Sequence, residues 1–289
     1  MSPAPRSSWR FDAIGTTWEI DTPHALPEDA RAAVTAVIRS FDAVWSRFRE
    51  DSLVSRLALE GGVAPVPRDA AAMLDAYAEL ALATDGAVNP LIGEALARRG
   101  YDAGYSLIDG GASAAPSAWR ELLTWSTTEL QLSVGVVIDV GALGKGRLVD
   151  LVLDALSPWA PHDLVVDAGG DLAVRGGPHR IGLEHPYDSR RAIGVIDVTD
   201  AALCASATNR RAWGDGLHHV LDARTGEPVR TIAATWAVAP TAMIADATAT
   251  ALFFDGGPRL AHGWGVEWVR MTTDGRVEWS PGSKAELFT

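Results

Sequence analysis

Three stretches of the sequence carry side chains whose types and spacing could do chemistry together. In Asp139-Val-Gly-Ala-Leu-Gly-Lys-Gly146 an apolar, strand-like run ends in a carboxylate, and a helix is predicted to follow. Three glycines leave the backbone approachable, and Lys145 adds a mobile positive charge. Such a turn can cradle a phosphate through amides and a helix dipole. The alternative is a tight turn whose lysine faces solvent. The spacing fits neither the Walker pattern nor GxGxxG. Asp246 and Thr250 lie four apart on a predicted helix, so both oxygens share one side. They border the apolar arc of Met243, Ala247, Ala251 and Phe254. A carboxylate there needs a partner, which a hard cation would supply; a backbone amide or water is the alternative.

The third stretch, HHVLDARTG, runs from His218 to Gly226. On a regular strand His218 and His219 face opposite ways, so one of them serves a pocket. A structural histidine followed by an Asp222–Arg224 turn is the other reading. Four-liganded zinc is unsupported, because Cys204 is the sole cysteine and no HExxH occurs. Asp167-Ala-Gly-Gly-Asp171 is a further glycine turn that could meet a ligand's hydroxyl or amide. Ser206, Thr208, Asn209, Arg210 and Arg211 form a polar patch without a GxSxG elbow. Cys204, set in an apolar segment, reads as packed rather than reactive.

The elements that must position these groups follow from periodicity. Phe11 to Ile20 reads as a strand kinked at Gly15. Val34, Val37, Ile38, Phe41, Trp45 and Phe48 recur at helical spacing after Pro27. Helices are predicted over Ala70–Ala83, Leu91–Arg98, Arg147–Leu156 and Thr241–Phe254. Strands are predicted over Val134–Val140, Leu164–Val166, Leu217–Leu221 and Ile232–Val238. A final hairpin should turn at Asp274-Gly275. The only candidate seam, Asp109 to Ser117, could equally be a surface loop. A chain of 289 residues buries a large core without crosslinks.

A formal net charge of −12 argues against nucleic acid as a partner and against an acidic membrane surface. Only Lys145 and Lys284 are lysines. The polar start from Met1 to Trp9 resembles no secretory signal, and no cysteine near it could carry a lipid. Cytoplasmic location without a membrane anchor is the resulting expectation.

Taken in order, several segments resemble the FAD:protein FMN transferase family, once described as thiamine-biosynthesis lipoproteins. They are AIGTTWEI at Ala13–Ile20, SRFREDSLVSRL at Ser46–Leu57, DGAVNPLIG at Asp85–Gly93 and IDVGALGKG at Ile138–Gly146. VVDAGGD at Val165–Asp171, HHVLDARTGEP at His218–Pro228 and ADATATAL at Ala245–Leu252 complete the series. The resemblance implies an α+β fold of mainly antiparallel sheets with packed helices and a flavin cleft. Residues 1–10 would be a short extension and 11–289 the transferase domain, as one unit or two closely packed lobes. It implies magnesium, FAD as bound flavin and FMN donor, and transfer of FMN to a threonine or serine of an acceptor flavoprotein, releasing AMP.

By position, the resemblance makes Asp246, Thr250 and the carbonyl of Gly144 metal ligands, and Lys145, His219 and Asp246 catalytic. It makes Gly15, Thr16, Ser46, Gly141, Gly144, Lys145, Gly169, Gly170, Asp171, Ser206 and His219 flavin-binding. Ala58, Ala205 and Asp167 depart from the asparagine, threonine and asparagine usual at those places. Two rival readings use nearly the same site: an FAD pyrophosphatase that gives FMN and AMP, and a non-catalytic FAD-binding protein.

Overall fold

The structure is a computed structural model that describes residues 6–288. Its centre is an eight-stranded antiparallel sheet. In spatial order the strands are Ser7–Ala13, Thr16–Thr22, Leu164–Asp167, Asp171–Arg175, Ala202–Ala207, Ile232–Ala239, Glu267–Thr272 and Val277–Trp279. Helices cover one face and a three-stranded sheet covers the other. That sheet comprises His179–His185, Asp188–Val198 and Glu286–Leu287. The result is the α+β architecture expected.

Strand alternation sorts the side chains between the layers. Leu172, Val174, Leu203, Ala205 and Ala207 pack toward the small sheet. Ala173, Ala202 and Cys204 pack with the helices. Asp171 and Ser206 follow the second parity, so the sheet turns both toward the helical side. Cys204 is buried there with Sγ against the Ala242 carbonyl, and burial pushes its thiol up, as its apolar setting led us to expect.

The expected helix at Ala70–Ala83 forms, the one expected over Leu91–Arg98 begins at Gly93, and the amphipathic run after Pro27 becomes Glu28–Trp45. That helix stops at Trp45, so Phe48 leaves its buried stripe. The single strand expected over Phe11–Ile20 is instead a hairpin. Ala13 pairs with Thr16 across Ile14 and Gly15, which adopt φ of 45° and 75°. Two consecutive positive φ values suit a tight hairpin turn. Pairing begins at Ser7, ahead of the Phe11 boundary.

Val134–Val140 is the apolar run expected of a strand, but it joins no ladder. The Asp139 amide donates to the Pro90 carbonyl at 2.8 Å, and the Val140 carbonyl accepts only from Leu143 and Gly144 in the turn that follows. A Cβ on Gly135 would meet the carbonyls of Ala58 and Leu59 at 2.7 Å, so helix rather than strand lies alongside. An apolar run reports burial, not what the backbone pairs with. Leu217–Leu221 breaks into two short bridges, Leu217–His218 and Leu221–Asp222, and frees His219 between them. The Asp109–Ser117 stretch is pinned to the body by Arg99 on Asp109 and by the Ala115 amide on the Ala223 carbonyl.

Two helices cross where the site forms, Gly144–Ala155 and Ala242–Ala251. The first begins at Gly144 instead of after Gly146, because those glycines serve packing. A Cβ on Gly146 would stand 2.2 Å from the Ala242 carbonyl. Asp150 reaches across to accept from the amides of Ala242 (2.7 Å) and Met243 (3.0 Å), closing the late helix's N-terminus beside its cap, Thr241. Asp150→Ala would leave two enclosed amides unpaired, so we expect a loss of about 2–4 kcal/mol in urea unfolding. An unchanged midpoint would mean that water replaces the carboxylate.

Candidate active site

A mainly apolar cleft opens between the long helix, the Asp139–Lys145 segment, the break at His219 and the late helix. Of the flavin-binding residues expected, Ser46, Gly141, Gly144, Lys145, Ser206 and His219 line it, as does Thr250. Gly15 and Thr16 stand behind the wall. Their turn presents Ile14 to the cleft, and Thr16 seats against Gly169 so closely that a Cβ there would lie 2.2 Å from its hydroxyl. Gly169 and Gly170 line a neighbouring cavity, which Ser206 also borders. The expected set is therefore scattered: some line the cleft, Gly169 and Gly170 the neighbouring cavity, and Gly15, Thr16, Asp171 and the expected metal ligand Asp246 line neither.

The charged centre is Lys145, Asp171 and Asp246. The Lys145 ammonium pairs with Asp171, which is 1% exposed. Asp246 is 3% exposed and accepts from the Gly146 amide at 2.9 Å. Burial, and then the charge of Asp171, push the Asp246 carboxyl well above the usual range, against the pull of Lys145. Burial opposes the charge of Lys145 as well, but Asp171 and Asp246 outweigh it and its pKa is raised. Two enclosed carboxylates thus share one ammonium, and Asp171 Oδ1 has no hydrogen-bond partner.

This arrangement fits a divalent cation. Its donors are oxygens, and one is a carboxylate short of compensating charge. Thr250 donates to the carbonyl of Ala142 at 3.1 Å. That carbonyl precedes the helix, whereas the carbonyl of Gly144 lies in the helix's first turn. Among the described residues no three His, Cys, Asp or Glu side chains gather as a metal cluster. Few protein carboxylates, with coordination completed by substrate oxygens, is the magnesium pattern.

The amide cradle expected at Gly141–Gly146 is mostly satisfied from within. The Gly141 amide donates to Asp139, that of Ala142 to the Tyr77 hydroxyl and that of Gly146 to Asp246. Leu143 and Gly144 donate to the Val140 carbonyl. Among the described residues, only the Lys145 amide of this stretch has no partner, so side chains carry most of the site's positive character.

Of the two histidines, His219 is the one that serves the cleft. His218 is held by the Val229 carbonyl and the Val220 amide. The His219 ring is half-buried with Nδ1 unpartnered. Burial, then Arg211, His218 and Lys145, push it down to about 3. It stands neutral as an acceptor, without the near-neutral basicity of a free imidazole. The turn after it is braced by Arg224 on Asp222, Nε to Oδ1 2.9 Å.

Sequence reasoning missed the wall formed by Arg47, Phe48, Asn89 and Tyr101, and placed its fifth member, Arg211, only in a polar patch. The Arg47 guanidinium lies over Phe48 and Tyr101, at 4.2 and 4.9 Å from the ring centroids. Its Nε donates to Asp139 (2.5 Å), Nη1 donates to the Tyr101 carbonyl (2.8 Å), and Nη2 is enclosed without a partner. Arg211 donates to the Tyr101 hydroxyl at 2.6 Å. The signal available was position: Arg47, Phe48 and Asn89 lie inside segments already singled out. Tyr101 comes from a stretch with no motif.

The ApbE family model matches residues 14–266. An FAD:protein FMN transferase of Rhodobacter capsulatus is 28% identical over 99% of this chain, which spans 59% of that relative's length. One from Treponema pallidum is 27% identical over 90% of this chain and 82% of its own. The solved structure of a flavin transferase, ApbE, from Vibrio cholerae superposes with a TM-score of 0.80 at 22% identity, covering 96% of this chain and 98% of that one.

Proposed function

Because the chain belongs to the ApbE family, we propose that its cleft holds FAD and transfers the FMN half to a threonine or serine hydroxyl of an acceptor flavoprotein, with AMP as leaving group. The observation that carries this reading is the buried Asp246–Asp171 pair, balanced by one lysine at the wall of an aromatic-lined cleft. A magnesium ion held by Asp246, Thr250 and a backbone carbonyl, Ala142 or Gly144, would offset diphosphate charge and favour departure of AMP.

Lys145 sits where it can pair with the diphosphate and stabilise charge that builds as the bond to AMP breaks. The acceptor oxygen forms its bond to the FMN-side phosphorus, the phosphorus–oxygen bond to AMP breaks, and the acceptor's proton leaves. His219, neutral and with Nδ1 enclosed and unpartnered, orients that hydroxyl and receives its proton. Burial chiefly depresses its basicity, and anionic phosphate in the cleft would offset the part due to Arg211, His218 and Lys145.

Arg47 Nη2 gives the cleft a fixed donor for a ring nitrogen or carbonyl of FAD. Arg47→Lys keeps the charge but loses the fork, so FAD affinity should fall about tenfold with little change in turnover at saturation. An unchanged affinity would place Nη2 away from the ligand.

The test is to incubate the chain with FAD and magnesium, with and without candidate acceptors, and to quantify AMP, free FMN and acceptor mass. FMN on the acceptor, equimolar with AMP, supports transfer. Free FMN equimolar with AMP makes the chain a pyrophosphatase, and tightly held FAD without AMP makes it a binding protein.

A further inference from the structure

We propose that the cavity beside Ser206 is the channel in which the acceptor polypeptide lies, extended, as an added strand on the free edge of His179–His185; this rests on the transferase reading above. That strand pairs with Asp188–Val198 on one side only. Among the described residues no backbone hydrogen bond reaches its other edge. An unpaired edge offers a row of N–H and C=O groups, and extended peptides add to such edges through main-chain bonds.

The edge does not face open solvent alone. Ile181, Gly182 and Glu184 line the cavity opposite Ala205 and Ala207 of the central sheet. The small side chains leave room for another backbone, and a Cβ on Gly182 would meet nothing nearer than Ala192 at 3.8 Å. Ser206 belongs to the walls of both the cavity and the cleft, so the two spaces meet at that residue. A chain lying along this edge would bring one hydroxyl beside Ser206, at the boundary with the cleft. At one end, Asn209 donates to the Pro186 carbonyl (2.5 Å) and Arg210 pairs with Glu184 (3.0 Å). Those contacts mark where the segment leaves the channel. The substrate class implied is an extended segment around the threonine or serine, recognised without its folded domain.

The probes are short synthetic peptides with a central threonine, drawn from a pool with randomised flanks and scored for FMN by intact mass. Reactive sequences are then resynthesised with N-methyl groups at alternate residues. Methylation in one alternate register should raise the peptide's KM by about tenfold per blocked bond and in the other register much less. Ala207→Phe, which fills the cavity from outside the reacting centre, should raise KM for the unmethylated peptide about tenfold while FAD affinity stays unchanged. FAD cleavage without modification of any peptide overturns the channel. So does equal tolerance of methylation in both registers, or an Ala207→Phe variant that is folded by circular dichroism and has the parent's KM. Loss of a parent dimer on Ala207→Phe, with peptide transfer intact, would give the cavity to a second copy. Absence of FAD cleavage altogether sinks the transferase reading itself.

Discussion

Asp246→Asn should lower magnesium-dependent AMP release on the order of a thousandfold, because it removes the one anionic ligand proposed for the metal, an effect of several kcal/mol. The fold should survive, since an amide oxygen can still accept from Gly146. A second readout separates site from scaffold. In the metal-free parent the Asp246 carboxyl is held well above its ordinary value by burial and by Asp171. A group raised in the folded state stabilises fully below its unfolded pKa, and that contribution is lost as pH rises through the folded value. Metal-free stability should therefore decline as pH climbs from the ordinary carboxylate range, and Asp246→Asn should flatten the decline. Magnesium should flatten it in the parent and leave the variant unmoved. Normal turnover with ordinary magnesium dependence would remove Asp246 from the metal site.

Lys145→Ala should cost both turnover and stability. Turnover should fall about a hundredfold through lost stabilisation of charge on the phosphates. Removing the ammonium also leaves Asp171 and Asp246 enclosed and uncompensated, and breaking one partner from a buried pair typically costs about 3–5 kcal/mol. Adding Asp171→Asn to Lys145→Ala should restore much of the stability and little of the turnover. Lys145→Arg should retain more activity than Lys145→Ala, though a planar fork does not reproduce a compact ammonium. Recovery of turnover in the double variant would make Lys145 only the partner of Asp171.

The placement of the candidate residues was legible where it is written in local spacing. Asp246 and Thr250 four apart on a helix, and two adjacent histidines of which one must turn away, are consequences of backbone period. The helices at Ala70–Ala83 and Ala242–Ala251 were readable for the same reason. What the sequence hid depends on partners distant along the chain. Val134–Val140 reads as a buried strand from its apolar run, yet it joins no ladder and Gly135 lies against the helix at Ala58 and Leu59. Gly144 and Gly146 read as a ligand turn, but Ala242 presses against Gly146 and most nearby amides are already paired. Asp171 became the counter-charge of Lys145 only when strand parity turned it toward the helices. Arg47 was invisible as a site residue because its two anchors, Asp139 and Tyr101, lie far along the chain.

Direct transfer from FAD to another protein is most directly tested by a single turnover, quenched at intervals, with intact mass and peptide mapping of both proteins and AMP counted alongside. The account predicts that AMP and acceptor-bound FMN rise together, on a threonine or serine, while this chain stays unmodified throughout. An FMN adduct on this chain, at Ser206 or Thr208, that forms before the acceptor's and is chased onto it would contradict it.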